Sequence, residues 1–149
     1  MKKFILALMI ALLPTVALAD KAPKTPESKV YDFEITRVID GDTVEFKADF
    51  LPAPLKPVLS IRVYGGDTPE KSWRGQCDKE KKMGEEASKF TAKLIKDAKM
   101  IQVAIMEWDK FGGRVLGDII IDGKSLTKML IEKGYAREYY GDKKQSWCN

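Results

Sequence analysis

Two acidic clusters and two arginines are the strongest candidates in this chain for a chemical role. The first cluster is Asp40-Gly41-Asp42-Thr43, and the second is Asp67-Thr68-Pro69-Glu70. Arg62 lies five residues before the second cluster, and Arg114 follows a Phe-Gly-Gly turn. Carboxylate oxygens are preferred ligands of hard cations such as Ca²⁺, and arginine binds phosphate oxygens through two parallel hydrogen bonds. Together these groups suit chemistry at a phosphate.

The chain of 149 residues contains no histidine, and this absence narrows the possible chemistry. It excludes Ser-His-Asp and Cys-His nucleophile pairs, HExxH zinc sites and any histidine general base. A reaction here must use carboxylates, arginine or lysine, hydroxyls, thiols or a hard metal ion. The formal net charge of +4 is mildly basic and suits a polyanionic partner.

Taken together, these residues suit the cleavage of a phosphodiester bond without histidine. Asp42 and Asp67 could hold Ca²⁺, which would neutralise the phosphate and orient an attacking water. Arg62 and Arg114 would stabilise the negative charge of the transition state. Glu70 would accept the proton of the water, although a carboxylate of ordinary pKa is a weak base at neutral pH.

Each cluster taken alone also has a purely structural explanation. Asp-Gly is a strong turn dipeptide, so Asp40 to Thr43 could simply be a hairpin turn. Asp, Thr and Pro are common turn formers, so a turn also explains the second cluster. A single arginine such as Arg114 is usually just solvated. The chemical interpretation therefore rests on the combination of the clusters.

Alternating apolar residues predict five short strands that would position these clusters. The strands are centred on Tyr31–Ile35, Val44–Ala48, Leu59–Val63, Ile101–Ile105 and Val115–Ile121. The first two strands form a hairpin around the Asp-Gly turn. In the third strand the alternation places Arg62 on the face opposite to the apolar residues.

Two helices are predicted between and after the strands. Apolar residues recur at steps of three and four from Glu80 to Ala98, which indicates an amphipathic helix. Ser125 caps a second, shorter helix that Gly134 ends. Three prolines within residues 49–57 predict a loop. Five strands with two interposed helices predict a small closed barrel of α+β type, in the size class of OB-folds.

The N-terminus has the features of a signal peptide, which we place at residues 1–19. Lys2 and Lys3 precede the ten-residue apolar run 4–13, and Ala17-Leu18-Ala19 is a small-x-small cleavage signal. Removal of these 19 residues would leave 130 of the 149 and lower the net charge from +4 to +2. Residues 20–29 are polar and predict a flexible leader. We therefore expect an exported protein, periplasmic or secreted, without a membrane anchor after cleavage.

The two cysteines allow a single pairing, Cys77 with Cys148. An even number of cysteines in an oxidising compartment favours a disulfide, which could contribute about 4 kcal/mol by loop-closure entropy. The alternative is two free thiols. Two cysteines without histidine do not make a structural zinc site.

Several ordered motifs resemble the staphylococcal nuclease (thermonuclease) family, over a stretch from about Val30 to Tyr140. The motifs stand in the following order: Val38-Ile39-Asp40-Gly41-Asp42-Thr43-Val44, Arg62 with Asp67-Thr68-Pro69-Glu70, Gly84-Glu85-Glu86-Ala87-Ser88-Lys89-Phe90-Thr91, Asp109-Lys110-Phe111-Gly112-Gly113-Arg114, and Asp122-Gly123-Lys124. The resemblance implies a five-stranded OB-fold β-barrel with three helices, in a nuclease domain that we place at residues 30–149. It also implies Ca²⁺-dependent hydrolysis of DNA and RNA to 3′-phosphorylated products.

The resemblance assigns a role to each residue of the two acidic clusters and to the two arginines. Asp42 and Asp67 are implied as carboxylate ligands of Ca²⁺, and Thr68 as a ligand through its backbone carbonyl. Glu70 is implied as the general base, and the two arginines of the motifs as contacts of the scissile phosphate: Arg62 and Arg114.

The substrate-binding residues implied by the resemblance are Phe111, Tyr140 and the neighbouring Lys110. Aromatic stacking tolerates any base, so DNA and RNA in single-stranded or unpaired regions are the expected partners, bound by a monomer. Phe111 stands where the family has a tyrosine, and the turn before Arg114 has one additional glycine. Residues 71–82 also differ from the staphylococcal loop.

Two other functions are compatible with such a barrel. The first is an OB-type module that binds single-stranded nucleic acid without cutting it, although such a module would not need this set of acidic and arginine positions. The second is a secreted protein–protein adaptor that uses the lysines of the long helix. That helix face is better explained as solvated, because Glu85 and Glu86 alternate with the lysines.

Overall fold

The computed structural model describes residues 27–149. The predicted signal peptide, residues 1–19, and most of the predicted leader, residues 20–29, lie outside the described residues. Within residues 27–149, no helix combines the length and the apolar character that are needed to cross a membrane.

The described chain forms nine strands in two sheets. They are β1 (Lys29–Tyr31), β2 (Ile35–Asp40), β3 (Thr43–Lys47), β4 (Val58–Val63), β5 (Gly65–Asp67), β6 (Ile101–Trp108), β7 (Arg114–Ile121), β8 (Lys124–Ser125) and β9 (Arg137–Tyr139). The larger sheet has the order β1-β6-β7-β4-β3-β2, with β8 beside β7, and β5 pairs with β9 in the smaller sheet. Among these strands the β4–β7 pair is parallel, whereas the other pairs are antiparallel.

The architecture is an α+β, OB-fold-like barrel, as the sequence predicts. Four of its five longest strands, β3, β4, β6 and β7, correspond to predicted strands, whereas the fifth, β2, overlaps the predicted strand around Tyr31–Ile35 only in part. The loop predicted for residues 49–57 lies between β3 and β4. The four shorter strands extend this frame and include β5, which ends at Asp67 of the second acidic cluster.

The first predicted strand is divided in the structure. β1 pairs with β6, whereas β2 pairs with β3, so the segments on the two sides of Phe33 have different neighbours. The Phe33 ring stacks on the rings of Tyr31 and Phe46, with ring centroids 5.1 and 5.2 Å apart. The alternation of apolar residues does not reveal the division, because Tyr31, Phe33 and Ile35 continue it across the break.

Two α-helices occur in the described residues, α1 (Asp78–Asp97) and α2 (Leu126–Glu132), together with a 3₁₀ turn at Ser72–Arg74. The residue pattern predicts these two helices, whereas the family resemblance implied three. No α-helix follows β9, where residues 140–149 are mostly polar and lack the apolar period of a helix. Gly141 has a φ of +101° there, and Cys148 ties the segment to the start of α1.

The alternation of buried residues in the sheet positions both arginines. Phe46, Ile61 and Ile119 are fully buried in the core, so Arg62 lies on the opposite face of β4. In the parallel β4–β7 pair, Ser60 stands opposite Arg114 and Arg62 opposite Leu116. Arg62 and Arg114 therefore lie on the same face of neighbouring strands.

Candidate active site

The turn between β2 and β3 brings the two acidic clusters together. The Oδ2 atom of Asp42 accepts a hydrogen bond from the backbone N–H of Thr68 at 3.2 Å, and Oδ1 accepts one from the hydroxyl of Thr43 at 2.8 Å. Asp42 is 5% exposed and Thr68 is 3% exposed. Clusters 26 residues apart in the chain thus share one buried network.

Helix α1 holds this turn in place. The Thr91 hydroxyl donates a hydrogen bond of 2.7 Å to the carbonyl of Gly41. A Cβ atom at Gly41 would lie 2.7 Å from the Cβ of Ala87, so the turn packs directly against the helix. Close approach to the helix is therefore what requires glycine at this position.

Arg62 lies between the two predicted calcium-ligand carboxylates. Its Nη2 atom is 3.2 Å from Oδ2 of Asp42 and 2.8 Å from Oδ1 of Asp67. Burial of Arg62 disfavours its charge, but the negative charges of Asp42 and Asp67 outweigh burial and raise the pKa of the guanidinium above its usual value. Arg62 therefore remains charged, and its fixed position offers donors to a phosphate.

Glu70 lies at the edge of the same network, with its side chain one-third exposed. Its carboxylate is 3.7 Å from Nε of Arg74 and 3.7 Å from Nζ of Lys144. Burial is the main cause that raises the pKa of Glu70 above its usual value, and the charge of Asp42 adds to this, whereas Lys144 and Arg74 oppose it. A raised pKa makes Glu70 a better general base at neutral pH than an ordinary glutamate.

The donor set fits a hard cation. Asp42 and Asp67 both approach a single nitrogen of Arg62, so their oxygens converge on one region. The side chains of residues 27–149 contain no cluster of three or more His, Cys, Asp or Glu groups arranged to hold a metal ion. A calcium ion would therefore need backbone oxygen, such as the Thr68 carbonyl, and water to complete its ligand shell.

An open cleft of about 590 Å³ lies beside this network. Its lining brings together the predicted catalytic and substrate-binding residues, namely Arg62, Glu70, Arg114, Lys110, Phe111 and Tyr140. The predicted metal ligands Asp42, Asp67 and Thr68 do not line this cleft. Asp67 and Thr68 line a smaller adjoining hollow that shares Glu70 with it.

The turn before Arg114 accommodates the additional glycine. Gly113 has a φ of +75°, and its carbonyl accepts a hydrogen bond from the backbone N–H of Ser60 at 3.1 Å. Arg114 then begins β7, and its Nε donates to Oδ2 of Asp109 at 2.5 Å. The Arg114 guanidinium lies 4.8 Å from the centroid of the Phe111 ring. Arg114 therefore lines the same cleft as Arg62 despite the longer turn.

Three residues of the site have no role in the sequence analysis. Asp109 orients Arg114, Arg74 connects Asp40 and Glu70, and Lys144 contacts Asp67. Asp109 belongs to one of the sequence motifs, but the sequence does not show that its side chain binds Arg114. Lys144 lies 77 residues after Asp67 in the sequence. The predicted disulfide at Cys148, four residues after Lys144, is the feature of the sequence that indicates that this segment is held near the site.

The structure joins Cys77 and Cys148 in a disulfide, with their Cα atoms 6.0 Å apart. Cys77 is the N-cap of α1, where its sulfur accepts the backbone N–H of Glu80 at 3.4 Å. The bond brings the end of the chain to the helix that packs behind the Gly41 turn. The disulfide is thus adjacent to the site and not remote from it.

Comparison with known proteins finds relatives of one family. A family model described as "Staphylococcal nuclease homologue" matches residues 60–147. The chain is similar to the SPbeta prophage-derived endonuclease YokF of Bacillus subtilis (strain 168), with 30% identity over 117 residues, which are 75% of this chain and 36% of that protein. It is 30% identical over 123 residues to Endonuclease YncB of the same organism, covering 76% of this chain and 51% of the relative.

A third relative, Endonuclease YhcR of Bacillus subtilis (strain 168), is 27% identical over 129 residues. That match covers 83% of this chain and 10% of the relative. The chain therefore spans about half the length of the curated relatives that it matches, or less.

Proposed function

This chain belongs to the staphylococcal nuclease family, and from that premise we propose that it is a Ca²⁺-dependent nuclease. It hydrolyses phosphodiester bonds of DNA and RNA and leaves 3′-phosphorylated products. The observation that carries the proposal is the convergence of Arg62, Glu70 and Arg114 on one cleft, next to the buried Asp42–Asp67 network. The names of the relatives, all endonucleases, agree with this chemistry.

In the proposed reaction, Arg62 and Arg114 bind the scissile phosphate from neighbouring strands. Their hydrogen bonds strengthen as negative charge grows on the phosphate oxygens, which lowers the barrier. Glu70 takes a proton from the water that attacks phosphorus. The bond between phosphorus and the 5′ oxygen breaks, the leaving oxygen takes a proton from solvent water, and the phosphate remains on the 3′ oxygen.

The residues that would hold Ca²⁺ are Asp42, Asp67 and the carbonyl of Thr68. When bound, the ion supplies positive charge beside the phosphate and orients water. The Thr68 N–H and Arg62 hold Asp42 in place, and Arg62 also holds Asp67. This arrangement reduces the reorganisation that binding and reaction require.

The aromatic side of the cleft binds the nucleotides next to the scissile bond. Phe111 is 55% exposed and Tyr140 is 49% exposed, so both rings present a face to an unpaired base. Lys110 lies 5.3 Å from the centroid of the Phe111 ring and adds positive charge for the backbone. Stacking without base-specific hydrogen bonds explains a substrate range that includes both DNA and RNA.

The proposal includes export, to the periplasm or the exterior, and activity as a monomer. The signal-like N-terminus supports export, and so does the disulfide, because disulfides persist in oxidising compartments.

The decisive experiment is cleavage of denatured DNA by the purified oxidised protein, first with calcium and then with excess chelator. We expect calcium-dependent degradation to fragments with 3′-phosphate ends. Glu70→Gln should be inactive in the same assay, and Glu45→Gln, which changes a carboxylate outside the cleft lining, should be fully active. Binding without cleavage by the unaltered protein would overturn the proposal and assign a binding module instead.

A further inference from the structure

The last ten residues of the chain are docked beside the site although they form no regular structure. Trp147 is 6% exposed and lies under the guanidinium of Arg137, which is 3.9 Å from the centroid of its ring. Arg137 also donates a hydrogen bond of 2.9 Å to the carbonyl of Ser146. The Cys77–Cys148 disulfide closes the segment onto the N-terminus of α1. We call residues 140–149 the clamped tail.

The clamped tail carries Lys144 to the acidic network. The Lys144 ammonium is 2.7 Å from Oδ1 of Asp67 and 3.7 Å from Oε1 of Glu70. The same Asp67 oxygen is 2.8 Å from Nη2 of Arg62. The Asp67 side chain is 8% exposed, so a lysine from the surface reaches a carboxylate that is otherwise enclosed. One oxygen of a predicted metal ligand therefore has two cationic partners.

We infer that Lys144 is a tethered competitor of Ca²⁺ for Asp67, so that the clamped tail weakens the affinity of the site for the metal. The inference rests on the proposed function, because it needs Asp67 to be a ligand of the ion. The Lys144 ammonium and Ca²⁺ both bind an Asp67 oxygen and are both positively charged, so binding of one disfavours binding of the other. By linkage, whatever free energy the ion pair contributes must be given up when the ion binds.

The tether explains why a solvent-exposed ammonium could compete at all. A free lysine in solution would rarely meet Asp67, whereas a lysine on a short closed segment has a high effective concentration there. Lys144 lies only four residues before Cys148, so the disulfide restricts how far the ammonium can move away. Loss of the disulfide would lower that effective concentration and relieve the competition.

The test is isothermal titration of Ca²⁺ into the oxidised protein without nucleotide, at fixed ionic strength. We expect Lys144→Gln to bind Ca²⁺ about 2- to 5-fold more tightly than the unaltered protein, the upper part of the range for an exposed ion pair. Lys143→Gln is the matched control, because it removes the same charge from the neighbouring exposed position. Its Ca²⁺ affinity should change by less than about twofold.

A second variant tests the tether itself. The double variant Cys77→Ser/Cys148→Ser should, like Lys144→Gln, bind Ca²⁺ more tightly than the unaltered protein, provided that circular dichroism shows the native fold. Adding Lys144→Gln to this pair should change the affinity less than it does in the oxidised protein, because the lysine is then no longer held at Asp67.

The outcomes separate this inference from the proposed function. Unchanged Ca²⁺ affinity in Lys144→Gln, in a protein that binds Ca²⁺ and cleaves DNA, overturns the inference and leaves the nuclease in place. Equal effects of Lys143→Gln and Lys144→Gln also overturn it, since they would show a general charge effect. Absence of Ca²⁺ binding in the unaltered protein and in every variant overturns both.

Discussion

The two sides of the cleft are held by different means. On the acidic side, Asp42 and Asp67 are 5% and 6% exposed and both contact Arg62, and Asp42 also accepts a hydrogen bond from the backbone N–H of Thr68. On the aromatic side, Phe111 and Tyr140 are about half exposed, at 55% and 49%. The first side is built into the barrel, whereas the second lies on a turn and on the start of the clamped tail.

The glycines of the two sides show the same contrast. A Cβ at Gly41 would collide with Ala87 at 2.7 Å, whereas a Cβ at Gly112 or Gly113 would meet nothing within 4 Å. The carboxylates proposed to hold the metal are therefore fixed by packing, whereas the rings proposed to bind bases lie in open surroundings. Catalysis depends on exact placement of charge, and stacking on any base does not.

Arg62→Ala should produce the largest effect, because it removes a phosphate contact and also the counter-charge of two buried carboxylates. We expect at least about a 100-fold loss in kcat/KM and a loss of about 3 kcal/mol in the free energy of unfolding. Urea unfolding and steady-state kinetics measure the two quantities. The control is Arg37→Ala, which breaks an exposed ion pair with Glu45 and should cost less than about 1 kcal/mol. Equal losses in the free energy of unfolding for Arg62→Ala and Arg37→Ala would refute the contrast between the two sides of the cleft.

Glu70→Gln should reduce kcat by at least about 100-fold with little change in stability, because the amide keeps the shape but cannot accept a proton. The unaltered enzyme should lose activity as the pH falls through the raised pKa of Glu70, because the carboxylate must be deprotonated to act as a base. The residual activity of the variant should lack this acid limb. Near-normal turnover by Glu70→Gln would show that another group accepts the proton.

Phe111→Ala should have a smaller effect, and one on binding more than on turnover. Loss of one stacked base weakens affinity for a single-stranded oligonucleotide by about 5- to 100-fold, while kcat changes less. Fluorescence anisotropy with a short labelled oligonucleotide measures the affinity. Phe50→Ala is the control, since Phe50 is 58% exposed but does not line the cleft. A large fall in kcat would show that Phe111 positions the reacting groups and does not only stack on a base.

The smallest effects are expected in the turn before Arg114. Gly112→Ala should change the free energy of unfolding by less than about 0.5 kcal/mol, because the added methyl group meets only solvent. Gly113→Ala should cost about 1 kcal/mol, because Gly113 has a φ of +75° that favours glycine. Thermal unfolding of the two variants compares them directly. The reverse order would contradict the conformation of this turn.

Composition and spacing restrict the possible chemistry and predict most of the local elements. The absence of histidine, the acidic clusters and the arginines are properties of composition and spacing, and they restrict the mechanism before any fold is known. Four of the five long strands and both α-helices follow from local periodicity, which depends on neighbouring residues only. The cysteine pairing follows because two cysteines allow one bond.

Which of these residues meet depends on the tertiary fold. The hydrogen bond from Thr68 to Asp42 spans 26 residues, and the ion pair from Lys144 to Asp67 joins the clamped tail to β5. The division of the first strand at Phe33 and the helix-free tail depend in the same way on distant partners. No local pattern encodes such contacts, because they arise where strands and loops far apart in sequence are packed around a common core.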